Sequence, residues 1–198
     1  IALAISQFGT LDYLITNAGI SMWAKFENIC DLSIFSKIME TNYLGTVHCV
    51  YYALPHLRKS QGMIVAISSI QGKIGVPFHT GYTASKHAIQ GFFASLRAEL
   101  TENDIDILIV TPHWLRGTNL RENAFGKDGN SIGVSLREHS QESISLQECN
   151  QAILNAIGKR QKELVVPPKL KILPWLNLIN PKIVDFIVKW KMFEQDNE

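Results

Sequence analysis

The stretch GYTASKHA, residues 81–88, places Tyr82 and Lys86 four positions apart. Residues four apart lie on the same face of a helix, so this spacing predicts an ammonium group beside a phenol. A free tyrosine ionises near pH ~10, and a neighbouring cation favours its phenolate, which allows the side chain to pass protons near neutrality. Upstream, the run IVAISS (residues 64–69) reads as a buried strand that ends in two serines, the second of them thirteen residues before Tyr82.

Three further motifs occur around this pair, in a fixed order along the chain. LITNAG at residues 14–19 reads as a short strand and the turn that ends it. METNYLG at 39–45 places Asn42 inside a helical pattern, where asparagine is a poor helix former. VTP at 110–112 closes a near-continuous apolar run and is followed by Gly117 and Thr118. We expect these segments to meet at one edge of a sheet.

The spacing of apolar residues and the positions of glycine and proline predict strands that alternate with helices. The predicted strands are 13–16, 64–68, 105–110 and 164–166, and the predicted helices are 32–57, 81–100 and 146–159. This alternation implies right-handed crossovers and a parallel sheet covered on both faces. The fold class is therefore α/β.

Together, the five motifs resemble the signature of the short-chain dehydrogenase/reductase family, over residues 1 to about 120. The resemblance implies a Rossmann-type doubly wound parallel sheet and an oxidoreductase that transfers hydride between NAD or NADP and an alcohol or ketone. The branches that act on steroid, retinoid or long-chain lipid carbonyls and alcohols are loosely similar. The chain does not discriminate between the two cofactors.

The resemblance assigns catalytic roles to Ser69, Tyr82, Lys86 and Asn42. Ser69, rather than Ser68, would hold the substrate oxygen, and Tyr82 would be the general acid in reduction and the base in oxidation. Lys86 would lower the pKa of the tyrosine and bind the nicotinamide ribose. Burial of the pair and the positive ring of the cofactor would help to lower that pKa. Asn42 would mark a local kink that frees a backbone carbonyl for a proton relay.

The resemblance also implies a cofactor wall, formed by Asn17, Ala18, Gly19, Tyr82, Lys86, Pro112, Leu115 and Thr118. Thr16 stands where the family has a first asparagine, and His113 stands where a glycine usually follows the proline. Thr118 lies one residue later than the usual carboxamide-binding threonine, and we expect it to take that role. We read His113 as a bulky residue tolerated in the loop, with a catalytic role as the alternative. His79 is placed to reach a substrate.

In the family, two βαβ units with a Gly-rich loop precede the first of these motifs, and no such loop occurs before Asn17. We therefore expect a C-terminal portion of the fold that lacks roughly 70–90 residues, the size of those units. Residues 1–166 are predicted to be an incomplete catalytic domain, with 119–145 as a mobile substrate loop. Residues 167–198 are predicted to be an amphipathic tail.

Composition restricts the classes of partner. The chain has 198 residues and a net charge of +1, which gives no support to nucleic-acid binding. Its three cysteines are isolated and none forms a Cys/His cluster, so we expect free thiols and no metal site. No apolar run reaches the ~18 residues of a membrane span, and we expect a cytoplasmic protein.

The tail interleaves lysines with tryptophans on an apolar helix, which is typical of a segment that lies in a membrane interface. A helix folded over the substrate pocket, or docked on a partner subunit, is the alternative. The predicted helices 32–57 and 81–100 match those that form dimer interfaces in the family, so we expect a homodimer or tetramer. A catalytically inactive chain that acts only as a dimerising or lipid-surface module is the competing function.

Overall fold

The structure is a computed structural model of the 198-residue chain, and it describes residues 1–100, 105–133 and 143–194. The strands are β1 (Tyr13–Thr16), β2 (Met63–Ile67), β3 (Asp106–Pro112), β4 (Leu115–Arg116), β5 (Ile144–Ser145) and β6 (Glu163–Val166). The α-helices are α1 (Ala2–Phe8), α2 (Ser33–Met39), α3 (Gly45–Ser60), α4 (Thr80–Glu99), α5 (Leu146–Gly158), α6 (Ile172–Ile179) and α7 (Pro181–Glu194).

The main sheet has the order β1-β2-β3-β6, and every pairing in it is parallel. Ile64 of β2 lies between Leu14 of β1 and Ile107 of β3, which fixes the register across the sheet. Parallel neighbours need crossover connections, and the predicted helices supply them. The α/β fold class inferred from the alternating pattern is confirmed.

Alternate residues of the central strands enter two different cores. Ile64, Ala66, Ile107 and Ile109 pack under α3 and α4, against side chains that include Leu57 and Phe93. Met63, Val65, Leu108 and Val110 pack on the opposite face under α5, with Ala156. This explains the near-continuous apolar sequence of β2 and β3, because both faces of each strand are covered. The helices on both faces give the doubly wound arrangement.

The predicted helix 32–57 is interrupted in the structure. It consists of α2, a π-helical turn at Glu40–Leu44, and α3. A π turn inserts an extra residue into the helical repeat, and Asn42 lies within it. The predicted helix 32–57 is therefore helical throughout most of its length but changes to a π turn at Asn42, and the kink expected there stays a prediction.

The polar segment 119–145 has more structure than its composition suggests. Its first part pairs with residues 21–30 through backbone hydrogen bonds, including Trp23 N to Phe125 O at 2.8 Å and Phe125 N to Ser21 O at 2.9 Å. Ile144–Ser145 forms β5, which pairs with β4. Residues 134–142 lie outside the described residues, and the mobility of this segment stays a prediction.

The end of the described chain folds back on the domain. A 3-10 turn at Pro168–Lys171 leads into α6 and α7, which pack over Ile70 and Ile74. Within the described residues, no helix is both long and apolar enough to cross a membrane.

Candidate active site

The carboxyl ends of three parallel strands bring the predicted site residues to one edge of the sheet. Asn17 follows β1, Ser69 lies two residues after β2, and Pro112 is the last residue of β3. Ligands of open parallel sheets bind at this edge. A cavity of about 550 Å³, lined in part by Arg97, Asp106 and Arg160, is elsewhere. Asp106 begins β3, so that cavity lies at the amino ends of the strands and is not this site.

The two serines after β2 have different surroundings. The Ser69 side chain lies near enough to the Tyr82 hydroxyl to lower its pKa, and Ser69 Oγ accepts from Gln71 N at 3.2 Å. Ser68 Oγ instead donates to Lys86 O at 3.4 Å and accepts from Gln90 Nε2 at 3.1 Å. Ser69 therefore faces the tyrosine, whereas Ser68 ties β2 to α4.

Tyr82 and Lys86 lie on one buried face of α4, as their spacing predicts. The side chains are 6% and 4% exposed, and Lys86 Nζ lies 5.6 Å from the centroid of the Tyr82 ring. Lys86 Nζ donates to Ile67 O at 2.9 Å, which holds the ammonium against the end of β2.

Burial shifts the two pKa values in opposite directions. It raises the pKa of Tyr82 to about 12, an effect that the nearby Ser69 hydroxyl partly opposes. It lowers the pKa of Lys86 to about 8. Our expectation that burial helps to ionise the tyrosine was therefore wrong, because a low-dielectric environment disfavours the charged form of each group. At pH 7 the tyrosine is a neutral proton donor beside a largely protonated lysine.

Asn42 connects the π turn to the rest of the site. Its side chain is 1% exposed; Nδ2 donates to Ile20 O and to Ser85 Oγ, each at 2.9 Å, and Oδ1 accepts from Ile20 N at 2.8 Å. The Asn42 carbonyl accepts the hydroxyl of Thr46 at 2.9 Å.

Gly19 keeps space open beside the lysine. A Cβ added there would lie 3.5 Å from Asn42 Oδ1 and 3.6 Å from Lys86 Nζ, and it would fill the gap between them. The lysine ammonium has three N–H donors, of which Ile67 takes one. Asn17 and Ala18, just before this gap, are exposed. These residues fit the nicotinamide-ribose end of a dinucleotide, whose hydroxyls can accept from an ammonium.

The segment after Pro112 reaches the site through Trp114. His113 N donates to Val166 O at 2.8 Å, which anchors the segment to β6. Gly117 has φ 81°, a left-handed conformation that favours glycine, and Thr118 follows it half-buried. Leu115 lies in β4 and is also half-buried. The cofactor roles of Pro112, Leu115 and Thr118 stay predictions.

An aromatic wall beside Tyr82 was not predicted as a unit. The His79 ring lies 4.9 Å from that of Trp23, 5.9 Å from that of Trp114 and 6.3 Å from that of Tyr82 (centroid distances). His79 is buried, and its Nδ1 lies 2.8 Å from Pro77 O. Only His79 had a sequence signal, its position three residues before Tyr82. The tryptophans come from distant segments and carry none.

Met22 is a second residue that the sequence did not single out. Its side chain is fully buried, and its Sδ accepts from Gly81 N, in the first turn of α4, at 3.1 Å. Met22 also belongs to the apolar cluster that contains Tyr82.

Within the described residues, no group of three or more His, Cys, Asp or Glu side chains could hold a metal ion. The polar groups that the preceding contacts bring together are the hydroxyls of Ser69 and Tyr82, the Lys86 ammonium and the Asn42 amide. They lie beside aromatic rings.

Comparisons with known proteins show which family the sequence and the fold are similar to. The sequence model of the family described as short chain dehydrogenase matches residues 1–128. The chain is 44% identical over 162 residues to a dehydrogenase/reductase SDR family member 7B of Bos taurus, covering 80% of this chain and 48% of that protein. It is 37% identical over 182 residues to an 11-beta-hydroxysteroid dehydrogenase-like 3 of Arabidopsis thaliana, covering 92% of this chain and 56% of that protein. The chain thus spans about half the length of the curated relatives it matches.

Among solved structures, a short chain dehydrogenase from Burkholderia cenocepacia in complex with NADP superposes with a TM-score of 0.75 at 21% identity, covering 94% of this chain and 72% of that chain. At that identity the likeness shows the fold alone. ElxO with NADP bound gives a TM-score of 0.57 at 36% identity, over 62% of this chain and 50% of that chain.

Proposed function

The chain belongs to the short-chain dehydrogenase/reductase family, and from that premise we propose that it supplies the catalytic half of an NAD- or NADP-dependent oxidoreductase acting on an alcohol or carbonyl compound. One observation carries the proposal. The Ser69 side chain lies near the Tyr82 hydroxyl at the ligand-binding edge of the sheet, with the Lys86 ammonium 5.6 Å from the centroid of the tyrosine ring. Within this proposal residues 1–166 form the catalytic part and residues 167–198 a separate tail.

In reduction, the substrate carbonyl oxygen accepts hydrogen bonds from Ser69 and Tyr82. Tyr82 then gives its proton to that oxygen; its pKa, raised by burial to about 12, keeps the phenol protonated at pH 7. The resulting phenolate is stabilised by the Lys86 ammonium and by the Ser69 hydroxyl. In oxidation the proton moves in the opposite direction. A bound nicotinamide supplies or takes up the hydride.

Lys86 and Asn42 support this transfer without contacting the reacting carbon. Lys86 sits between the tyrosine ring and the open space beside Gly19, so it can bind ribose hydroxyls and stabilise the phenolate at the same time. Asn42 holds the Ile20 backbone and Ser85, and thereby fixes the turn that borders this space. The donor set fits either NAD or NADP, because contacts to the ribose beside the nicotinamide are the same for both cofactors.

The aromatic wall supports a bulky, lipid-like substrate. Trp23, His79 and Trp114 place large apolar surface beside Tyr82, which favours flat or long apolar molecules over small polar ones.

The test uses the longest natural form of the protein that contains residues 1–198. Nicotinamide oxidation is followed with NADH and with NADPH against small aliphatic, aromatic and long-chain ketones, and cofactor binding is measured in parallel by calorimetric titration. We expect cofactor binding and turnover that increases with the apolar area of the ketone. Binding of neither cofactor would contradict the proposal.

A second candidate function is a non-catalytic pairing module. The favouring observation is a ring pair on α3, Tyr51 and Tyr52, which are exposed and lie 5.2 Å apart between centroids. A homodimer or tetramer through α3 and α4 is compatible with both functions. Cofactor titration separates them, because a pairing module would sediment as a dimer and bind no nicotinamide.

A further inference from the structure

The last two helices each carry two apolar faces. Leu173 and Leu176 of α6, and Val184 and Val188 of α7, pack toward one cluster around Ile70 and Ile74. The opposite faces point away from that cluster. They present an exposed apolar surface, here called the α6–α7 surface, formed by Trp175, Leu178, Ile179, Ile183, Phe186 and Trp190.

The spacing shows that the exposed apolar residues of the α6–α7 surface lie on one side of each helix and are not scattered around it. Trp175, Leu178 and Ile179 follow i, i+3, i+4 spacing, and Ile183, Phe186 and Trp190 follow i, i+3, i+7 spacing. All six side chains are between 46% and 80% exposed. Single exposed apolar residues are normal, whereas a contiguous helical stripe of them marks an interaction surface.

Charge identifies the partner. Residues 167–192 contain five lysines and one aspartate, and the lysines are exposed: Lys169, Lys171, Lys182, Lys189 and Lys191. The cores of protein interfaces are depleted of lysine, whereas membrane-surface helices interleave lysine with tryptophan. Helices of 8 and 14 residues are too short to span a bilayer, which needs ~20 residues.

We propose that the α6–α7 surface docks on a bilayer that contains anionic lipids, with the aromatic rings in the headgroup region. Residues 193–198 add Glu194, Asp196 and Glu198 to the sequence, so apolar insertion provides most of the binding and the lysines add a smaller, salt-sensitive share.

The helices that carry this surface pack through their other faces on Ile70, which directly follows Ser69, so docking would hold α6 and α7 between the bilayer and that part of the domain. The docking itself does not depend on the proposed chemistry.

The test is cosedimentation of the 198-residue chain with vesicles of phosphatidylcholine alone or with about 30% phosphatidylserine. We expect binding to both and tighter binding to the anionic vesicles. The double variant Trp175→Gln/Phe186→Gln should lower the partition coefficient at least ~tenfold on both. The matched control Phe8→Gln, equally exposed on α1, should leave it unchanged.

Charge reversal tests the lysine contribution separately. Lys182→Glu/Lys189→Glu should weaken binding to the anionic vesicles several-fold and leave binding to phosphatidylcholine alone nearly unchanged. Circular dichroism verifies that each variant is folded. Wild-type chain that binds neither vesicle overturns the proposal. So does a wild-type dimer that becomes monomeric in Trp175→Gln/Phe186→Gln without any vesicle effect, because the surface would then join two copies.

A second inference rests on a different contact and on the proposed function. The sulfur of Met22 accepts the N–H of Gly81, the residue before Tyr82, while its chain neighbours Ser21 and Trp23 pair with Phe125. One residue thus joins the segment that contains Phe125 to the start of the catalytic helix. We infer that Met22 is a positioning residue, which sets Tyr82 relative to that segment.

Met22→Leu tests this role, because leucine keeps the volume and removes the sulfur acceptor. We expect kcat to fall about tenfold, since small misplacements of a reacting group are costly, while the KM for the nicotinamide stays unchanged. The pH profile of kcat should shift as well. The control is Met63→Leu, equally buried in β2, which should leave kcat and its pH profile unaltered. Wild-type kcat in Met22→Leu would overturn the inference, whereas an inactive wild-type protein would instead reject the proposed function.

Discussion

Asn42→Ala is the substitution whose cost the structure defines most completely. The amide makes three hydrogen bonds in a buried setting, two with the Ile20 backbone and one with Ser85. Leaving a buried polar group without its partner costs about 1–3 kcal/mol. Ser85 keeps its bond to Tyr82 O, so the main loss is at Ile20. Allowing for a water in the vacated space, we expect the free energy of unfolding to fall by about 2–4 kcal/mol.

The assay is urea unfolding followed by circular dichroism, which needs no cofactor or substrate. Asn42→Asp is a matched variant of equal size: its carboxylate can still accept from Ile20 N but cannot donate to Ile20 O or Ser85, so we expect at least as large a loss. Asn155→Ala, on the exposed face of α5, serves as the control and should change stability by less than ~0.5 kcal/mol. A loss below ~1 kcal/mol for Asn42→Ala would refute the reasoning that this amide holds the π turn against Ile20.

Three other predictions follow from single contacts. Burial lowers the pKa of Lys86 from 10.5 to about 8. Between these pH values the unfolded chain binds more protons than the folded chain, so stability should rise with pH across that window. Urea midpoints at pH 7 to 10 should show the rise, and Lys86→Met should flatten it relative to the exposed control Lys59→Met. Ser69→Ala should abolish most turnover and cost about 1 kcal/mol through the lost cap on Gln71 N. Ser68→Ala should lower the melting temperature and retain turnover, because Ser68 bonds Gln90 and Lys86 O. Equal effects of the two variants on turnover would contradict the assignment. Ser145→Ala removes one half of a capping box with Glu148 and should destabilise α5 by about 1 kcal/mol in thermal unfolding. An unchanged melting temperature would show that the cap contributes nothing to stability.

Local spacing predicted the part of the site that one or two elements determine. Tyr82 and Lys86 share a helix face by their four-residue spacing. The choice of Ser69 over Ser68 rested on the family resemblance and not on spacing alone. The sheet was predictable from local sequence, because continuous apolar runs such as Ile64–Ile67 have few alternatives to a strand covered on both faces.

Long-range packing determines what the sequence did not show. Trp23 and Trp114 lie about ninety positions apart, and only the fold brings both against His79. The contact between Met22 and Gly81 has no sequence pattern either, since methionine usually fills apolar space. The direction of the Tyr82 pKa shift depends on how deeply the ring is buried, a quantity that spacing alone does not contain.

The central claim is that Tyr82 transfers the proton in carbonyl reduction. Its most direct test is turnover of Tyr82→Phe in the longest natural form of the protein, with Tyr43→Phe, a half-buried ring against Phe92, as the control. Phenylalanine keeps the ring and removes the transferable proton, so kcat should fall at least ~100-fold with cofactor affinity unchanged, and Tyr43→Phe should behave as wild type. Near-normal kcat in Tyr82→Phe would contradict the account.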